Sequence, residues 1–376
     1  MRLVIVYLSG GGLSGGGRNT LRALVPRLQG DERVSRLDVF VPPQAVSLPE
    51  VRPLSPRTWA AGDRLMGWRG LRAQIRGLKS DVIFIPNAAW FNAGEIPTVC
   101  MLRNMEAVLA PFGDNPLGVG LKNLLRSRIA RRAFRKATRV IAVSQFVRDF
   151  LVNRWGLPER KIGVVYHGVD SAVPVDQMHP PESLGDGEVA PFWFTAGSLL
   201  PYRGLEDMIR ALAVRIRRGV EENLLIAGAP VYSEAYKSSM QKLAQTCGVA
   251  DRIRWVGYLH RREMAWCFRK GLGFVMTSRL EACPNLALEA MSYGSVSIAT
   301  TCPPFPEVFG EAAIYYRPGD SDELAAKLEQ LHQMSGEDRD RHRGAALARA
   351  ETFSWAVAAD RTIGQLQAAI ETKSET

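Results

Sequence analysis

The sequence is poor in cysteine. Its 376 residues include five (Cys100, Cys247, Cys267, Cys283 and Cys302), an odd number, scattered and never spaced C-x-x-C. That excludes a disulfide framework and a cysteine-based zinc site, and it fits a reducing compartment. Long apolar runs are missing too. No stretch approaches eighteen apolar residues, so no membrane span is expected. The opening MRLVIVYLSGGG has a short apolar run with no small-residue cleavage site after it, so no secretory leader is expected. Histidine is absent from the first 166 residues; all five (His167, His179, His260, His332, His342) follow. A cytoplasmic protein is the expectation.

What is present in excess is positive charge. Lys and Arg number 48 against 38 Asp and Glu, a net charge of +10. Such a balance suits an anionic partner, but nucleic acid, anionic lipid and phosphorylated substrates all qualify. The length implies two domains, each able to bury a core.

Short apolar runs at 2–8, 37–41, 81–85, 98–102 and 139–144 alternate with polar or helical segments, the βαβ pattern of a parallel sheet. Leu21, Leu24, Val25 and Leu28 share one helix face, with Pro26 expected to bend that helix. Ser171 to Pro191 is polar and contains prolines, and is the best linker candidate. The alternation then resumes, with strands at 192–198, 223–228, 253–257, 273–278 and 295–300. Leu205, Met208, Ile209, Leu212, Ala213 and Ile216 mark one face of a helix between the first two. Two α/β domains facing each other across a cleft are the architecture expected.

The run SGGGLSGGGRNTL contains Gly10-x-Gly12-x-x-Gly15, formally a dinucleotide fingerprint opening a helix. A nicotinamide site also requires an acid closing the second strand. That strand ends FVPPQ, and Asp38 stands at its beginning. A phosphate- or sugar-facing loop with amides from Gly15, Gly16 and Gly17 is favoured, with a plain flexible turn as the bland reading.

The stretch SRLEACPNLALEAMSYGS (278–295) sets Glu281 before a Pro284–Asn285 turn and Glu289 inside the helix that follows, closed by Gly294. It leaves the carboxyl end of a strand, where open α/β sheets bind ligands. The free amides of residues 285–288 are expected to face that ligand. Each carboxylate can accept two hydroxyl donors, so a vicinal diol is the natural partner. Taken alone, the pair reads as two solvated surface acids.

The surroundings resemble a known family. SRLEACPNLALEAMSYGSVSIAT...FPEVFGEAAIYYRPGD is similar to the C-terminal signature of glycosyltransferase family 4, retaining GT-B glycosyltransferases that use nucleotide sugars. Further matching elements lie in order at 140–170, 196–212, 224–230, 252–259 and 353–355. The resemblance implies two Rossmann-like domains: an acceptor-side domain at 1–170, a linker at 171–191, and a nucleotide-sugar-binding domain at 192–350. Residues 351–376 would form a helix with the option of packing back across the junction. It implies that Glu289 binds the ribose hydroxyls, that Glu281 faces the donor sugar, and that the backbone at Asn285 and Leu286 meets sugar or phosphate. Of the family's basic pair, one position here is Ser198 and the other Arg203, whose fork suits a diphosphate. Gly228 and the backbone from Gly257 through Tyr258 to Leu259 would border the nucleobase.

Cleaving a sugar–diphosphate bond develops negative charge on the leaving group, which Arg203, the helix start at 285–288 and the Gly15–Gly17 amides would stabilise. Family members place a histidine near the sugar; here that region reads MLRNMEAV, and Asn104 is the stand-in. Front-face attack with retention needs no enzymic nucleophile; were one required, Glu106 or Asp114 would be the candidates. No metal and no organic cofactor is expected, because the D-x-D matches at 320–322 and 338–340 lie in helix-forming surroundings where Asp320 and Asp322 read as helix starts.

Residues 122–139 carry eight Lys/Arg (122, 126, 128, 131, 132, 135, 136, 139) and no acid. With Leu121, Leu124, Leu125 and Ile129 beside them, they suggest docking on an anionic membrane that carries a lipid-linked acceptor. A solvated helix is the plainer alternative. Nucleic acid is not expected, since no aromatic interleaving accompanies the charge. Three functions compete: a nucleotide-sugar glycosyltransferase acting on a glycan or lipid-linked acceptor in cell-surface polysaccharide or glycolipid synthesis, a catalytically idle scaffold of the same fold, and a nicotinamide oxidoreductase.

Overall fold

The computed structural model describes residues 1–8, 15–42, 52–53, 69–109, 112, 117–185, 190–231 and 234–374. The chain divides into two compact units. The first comprises Met1–Phe112, Leu117–Gly168 and Ser354–Thr376; the second is chiefly Val169–Phe353.

In the first unit the elements run β1 (Arg2–Val6), α1 (Gly15–Gln29), β2 (Arg36–Val41), β3 (Arg52–Pro53), α2 (Arg69–Arg76), β4 (Val82–Ile85), β5 (Thr98–Leu102), α3 (Glu106–Leu109), α4 (Leu117–Lys136), β6 (Arg139–Ala142), α5 (Gln145–Asn153) and β7 (Ile162–Val164). The sheet is parallel, in the order β3-β2-β1-β4-β5-β6-β7. Strands such as VIFI and TVCML are buried throughout because helices cover both faces of a parallel sheet. Pro26 lies in the last turn of α1, and the helix continues to Gln29. Ser144 starts α5 by accepting a hydrogen bond from the Val147 amide at 3.2 Å.

The second unit runs β8 (Phe192–Ala196), α6 (Leu205–Arg217), β9 (Asn223–Ala227), α7 (Ala235–Thr246), β10 (Ile253–Gly257), α8 (Arg261–Lys270), β11 (Gly273–Met276), α9 (Asn285–Ser292), β12 (Ser297–Thr300), α10 (Phe305–Phe309), β13 (Ala313–Tyr316), α11 (Ser321–His332) and α12 (Gly336–Glu351). Its parallel sheet has the order β10-β9-β8-β11-β12-β13. The core joins Trp193, Leu212, Leu224, Ile226, Val275, Ile298, Tyr316 and Leu328, each worth roughly 1.5–3 kcal/mol on burial.

Two parallel α/β sheets give the GT-B, two-domain α/β class expected from sequence. Residues 171–191, read as a linker, instead belong to the second unit. The Val173 amide donates to the Tyr293 hydroxyl at 3.2 Å, the Glu182 amide to Glu263 at 3.2 Å, and the Ser171 carbonyl accepts from Arg261. The last helix, α13 (Trp355–Ser374), packs in the first unit on α1, β4, β5 and β6. Gly168 admits this return, since any Cβ there would overlap the backbone at Trp355, and His167 stacks on the Trp355 ring at 5.8 Å. The strands β3, β7 and β13 had no counterpart in the sequence reading.

Candidate functional site

In the second sheet the chain moves from β8 outward to β9 and β10, then crosses to β11 on the other side of β8. The loops leaving β8 and β11 therefore flank a topological switch point, where such sheets open a ligand crevice. Ser198, Arg203 and Glu281 sit on these two loops, and Asn285, Leu286 and Glu289 in the helix that follows the second.

After β8, Gly197 and Ser198 lead into a one-turn 3-10 helix, Pro201–Arg203, and then Gly204. Gly204 is left-handed (φ 62), and a Cβ would stand 2.6 Å from the Thr277 carbonyl oxygen, so only glycine closes this turn. The loop after β11 is stitched to it. Thr277 Oγ1 donates to the Arg203 carbonyl at 2.6 Å, and the Arg279 amide to that of Tyr202 at 2.8 Å. The backbone thus fixes Arg203, whose guanidinium lies over the Tyr202 ring at 5.2 Å and donates to Ser278 Oγ at 3.3 Å.

Arg203 forms an ion pair with Glu281, both side chains about 15% exposed. Burial pushes the Glu281 carboxyl above its usual range; the Arg203 charge and the Ser278 hydroxyl only partly offset that. Sequence reasoning gave Arg203 to the diphosphate and Glu281 to the donor sugar, without expecting them to hold each other.

Helix α9 begins at Asn285 after Pro284 and ends at Ser292, with Gly294 left-handed just beyond (φ 64). Not all of its first amides are open as expected. Those of Ala287 and Leu288 donate to the Pro284 carbonyl at 3.0 and 3.3 Å, because the tight first turn folds back on the proline. Asn285 and Leu286 are partly buried at the start of the helix, and so is Glu289 one turn on. Among the described residues none donates a hydrogen bond to the Glu289 carboxylate. Burial pushes it up to about 7, with Arg261 pulling it back and Asp170 pushing it further.

The loops leaving β9 and β10 meet through the Gly228 amide, which donates to the Gly257 carbonyl at 2.7 Å. At Gly228 (φ 133) a Cβ would overlap the Gly197 carbonyl oxygen, so this glycine lets the β8 and β9 loops touch. Tyr258 is exposed and Leu259 buried. With His179, His260, Arg261 and Arg262 they line a recess of about 670 Å³.

Arg279 is one residue that sequence reasoning passed over. It pairs with Glu206 at 2.7 Å and Asp207 at 3.2 Å, and buried Asp207 also accepts from the Gly319 amide at 2.8 Å and the Tyr316 hydroxyl at 3.2 Å. This ties the Glu281 loop to the start of α6. Its position two residues before Glu281 was the available signal.

The first unit holds the remaining candidates. Gly15, Gly16 and Gly17 form the first turn of α1, while Gly10, Gly12 and Asp114 lie outside the described residues. Asn104 is exposed on the loop leaving β5, but its side-chain oxygen accepts from the Glu106 amide at 2.8 Å and so starts α3. Its neighbour Arg103 is the better-connected residue. It donates to the Pro86 carbonyl at 2.7 Å, the Tyr7 hydroxyl at 2.9 Å, and both the Gly16 carbonyl and Thr20 Oγ1 at 3.1 Å. Glu106, the fallback nucleophile, is buried with its carboxylate 3.5 Å from Asn123 Nδ2, the position of a packing residue. Asp320 caps α11 by accepting from the Glu323 amide at 2.9 Å. Among the described residues no cluster of three or more His, Cys, Asp or Glu is placed to hold a metal, and no helix is long and apolar enough to cross a membrane.

Comparison with known proteins matches both halves of the chain. Residues 14–173 match the family described as Glycosyltransferase Family 4, and residues 181–348 that described as Glycosyl transferases group 1. A D-inositol 3-phosphate glycosyltransferase of Streptomyces avermitilis is 28% identical over 249 residues, 62% of this chain and 53% of that one. An MMP alpha-(1->4)-mannosyltransferase of Mycolicibacterium hassiacum is 25% identical over 244 residues, 64% and 56% of the two chains. The chain thus spans about half the length of these curated relatives. Among solved structures, Anabaena HepE in complex with UDP-glucose superposes with a TM-score of 0.73 at 19% identity, covering 100% of both chains. A glycosyltransferase from Rickettsia africae gives 0.75 at 13% identity, covering 98% and 99%. With one family pattern on each α/β unit, the chain belongs to the group 1, family 4 glycosyltransferases.

Proposed function

We propose that the chain transfers a sugar from a nucleoside-diphosphate sugar, with retention at the anomeric carbon, to a glycan or lipid-linked acceptor in cell-surface polysaccharide or glycolipid synthesis. The observation that carries this reading is the Arg203–Glu281 ion pair on the loops leaving β8 and β11 at the switch point of the second sheet, with Glu289 in the helix that follows. The names of the relatives, sugar transfer to inositol phosphate or mannose transfer, and the nucleotide sugar bound by HepE support it.

In this reading the ribose diol donates to the Glu289 carboxylate, which has no other donor among the described residues. Arg203 and the amino end of α9 offset the charge that grows on the leaving diphosphate. Glu281 orients Arg203 and accepts from the sugar hydroxyls. The Gly228–Gly257 contact and Tyr258 border the base. Retention follows from attack on the face from which the diphosphate leaves, with no enzymic nucleophile, and neither a metal nor an organic cofactor is called upon. The protein works in the cytoplasm.

Thermal-shift titration with UDP-, GDP- and ADP-sugars tests the reading. One of them is expected to raise the midpoint, by about 2.7 kcal/mol of stability at a hundredfold excess over Kd. Glu289→Ala is expected to lose the shift, and the sugar product to keep the donor's anomeric configuration by NMR. A full shift in Glu289→Ala overturns the ribose assignment. Binding without transfer or donor hydrolysis favours the idle scaffold, to which Ser198 in place of a cation lends some support.

A further inference from the structure

Helix α4 presents an outward face unlike any other among the described residues. Leu117, Leu121, Leu125 and Ile129, four residues apart, form a stripe over three turns and are 52–72% exposed. The opposite face, with Gly120, Asn123, Ala130, Ala133 and Phe134, is buried in the first unit. The helix is therefore already anchored, and its apolar stripe is surplus to the core. Four aliphatic side chains in register are rare on a water-facing helix.

The charge around the stripe is of one sign. From Leu117 to Arg139 there is no Asp or Glu. At 100° per residue, Arg128, Arg132 and Arg135 project on the same side as the stripe, toward its carboxyl half, with Lys122 and Arg126 at its border. Some cations of the segment are spent locally: Arg131 on the Trp155 carbonyl, Lys136 over the Trp90 ring at 4.6 Å, Arg139 on Gln365 at 3.0 Å. Among the described residues no acid pairs with Lys122, Arg128, Arg132 or Arg135.

We propose that α4 docks the chain on an anionic lipid surface, its aliphatic stripe entering the acyl boundary and its arginines meeting the headgroup phosphates. Long basic side chains beside an apolar stripe can bury their methylenes and still reach the charged layer. Competing occupants fit less well. A second copy packed on the same face would oppose its cations to an identical set. A nucleic acid would satisfy the arginines but leave four aliphatic side chains without cover. The proposal is independent of the donor reading, because it concerns the first unit and requires no nucleotide.

Cosedimentation of the full chain with phosphatidylcholine vesicles, with and without equimolar phosphatidylglycerol, tests it. Binding is expected to be at least tenfold tighter to the anionic vesicles (about one decade) and to weaken as salt rises from about 0.1 to about 0.5 M. Arg128→Glu/Arg132→Glu should remove the preference for anionic lipid. Leu121→Ser/Leu125→Ser should weaken binding at both salt concentrations. All four positions are exposed, so unchanged melting midpoints and unchanged nucleotide-induced shifts are expected in both variants. Equal binding to the two vesicle types, or no effect of either double variant, overturns the proposal. So does a dimer in solution that Leu121→Ser/Leu125→Ser dissolves. Loss of the nucleotide shift in the parent chain would count against the donor reading alone.

Discussion

The second unit contains two Arg–Glu pairs with opposite characters, one buried and one partly buried. Arg215 and Glu222 lie at the end where the strands begin, with side chains 0% exposed. The guanidinium grips the carboxylate with two bonds of 2.7 Å, the Trp193 indole adds a third at 2.8 Å, His332 approaches at 2.7 Å, and Glu329 takes the remaining Arg215 donor. Burial pulls the Glu222 pKa up, yet these donors together hold it below its usual range. Arg203 and Glu281 lie at the end where the strands finish, and one contact joins them. There burial prevails and the Glu281 pKa rises. The same two residue types thus make a closed knot in one place and an undercompensated pair in the other. Electrostatic capacity left unused at the switch point is what a ligand with hydroxyls or phosphates could complete.

One substitution made at both sites should separate them. Glu222→Gln leaves the Arg215 charge buried with only Glu329 to balance it, and should cost about 3–5 kcal/mol, read as a lowered urea midpoint. Because the Glu222 pKa is lowered on folding, its contribution is present above about pH 4.5 and is lost as the pH falls through the folded value. The penalty of Glu222→Gln should therefore shrink in acid. Glu281→Gln should change stability by less than about 1 kcal/mol, since the wild-type carboxyl is already strained toward its neutral form. Sugar transfer should nevertheless fall by about 10²–10³-fold. A large loss of stability with normal turnover would reduce Glu281 to a second structural knot.

The contrast also explains what could be read from the residues alone. Glu281 and Glu289 were legible because proline, helix start and strand end all lie within eighteen residues of sequence. The Arg215–Glu222 knot was not, since Trp193, Glu329 and His332 reach it from 29, 107 and 110 residues away from Glu222 and no local pattern announces them. The strands were legible as uninterrupted apolar runs, except β3 and β7, two and three residues long, and β13, whose AIYY is short and partly exposed at the sheet edge. Residues 171–191 have the composition of a linker, but composition does not reveal that Tyr293 and Glu263 bind their backbone. Arg103 was passed over for Asn104 because its four partners come from α1 and the segments just after β1 and β4, contacts that only the folded sheet creates.

Glu289 carries the comparison to a third carboxylate. Its folded carboxyl titrates at about 7 against an ordinary 4.5, chiefly through burial. Between those values the native chain binds a proton that the unfolded chain does not, so stability falls as the pH rises through about 7. This is the reverse of Glu222. Glutamine copies the neutral carboxyl without titrating, so Glu289→Gln should match the parent below about pH 4.5 and exceed it by about 3 kcal/mol at about pH 8. Urea midpoints measured across that range would read the difference directly. The same variant should show no nucleotide-induced shift at any pH, while the parent's shift should fade as acid protonates the acceptor of the ribose diol. A stability gain without loss of the nucleotide shift would leave Glu289 a desolvated helix residue and move the diol contact elsewhere. A loss of the shift without the pH-dependent gain would mean that Arg261 neutralises the carboxylate more fully than burial raises it.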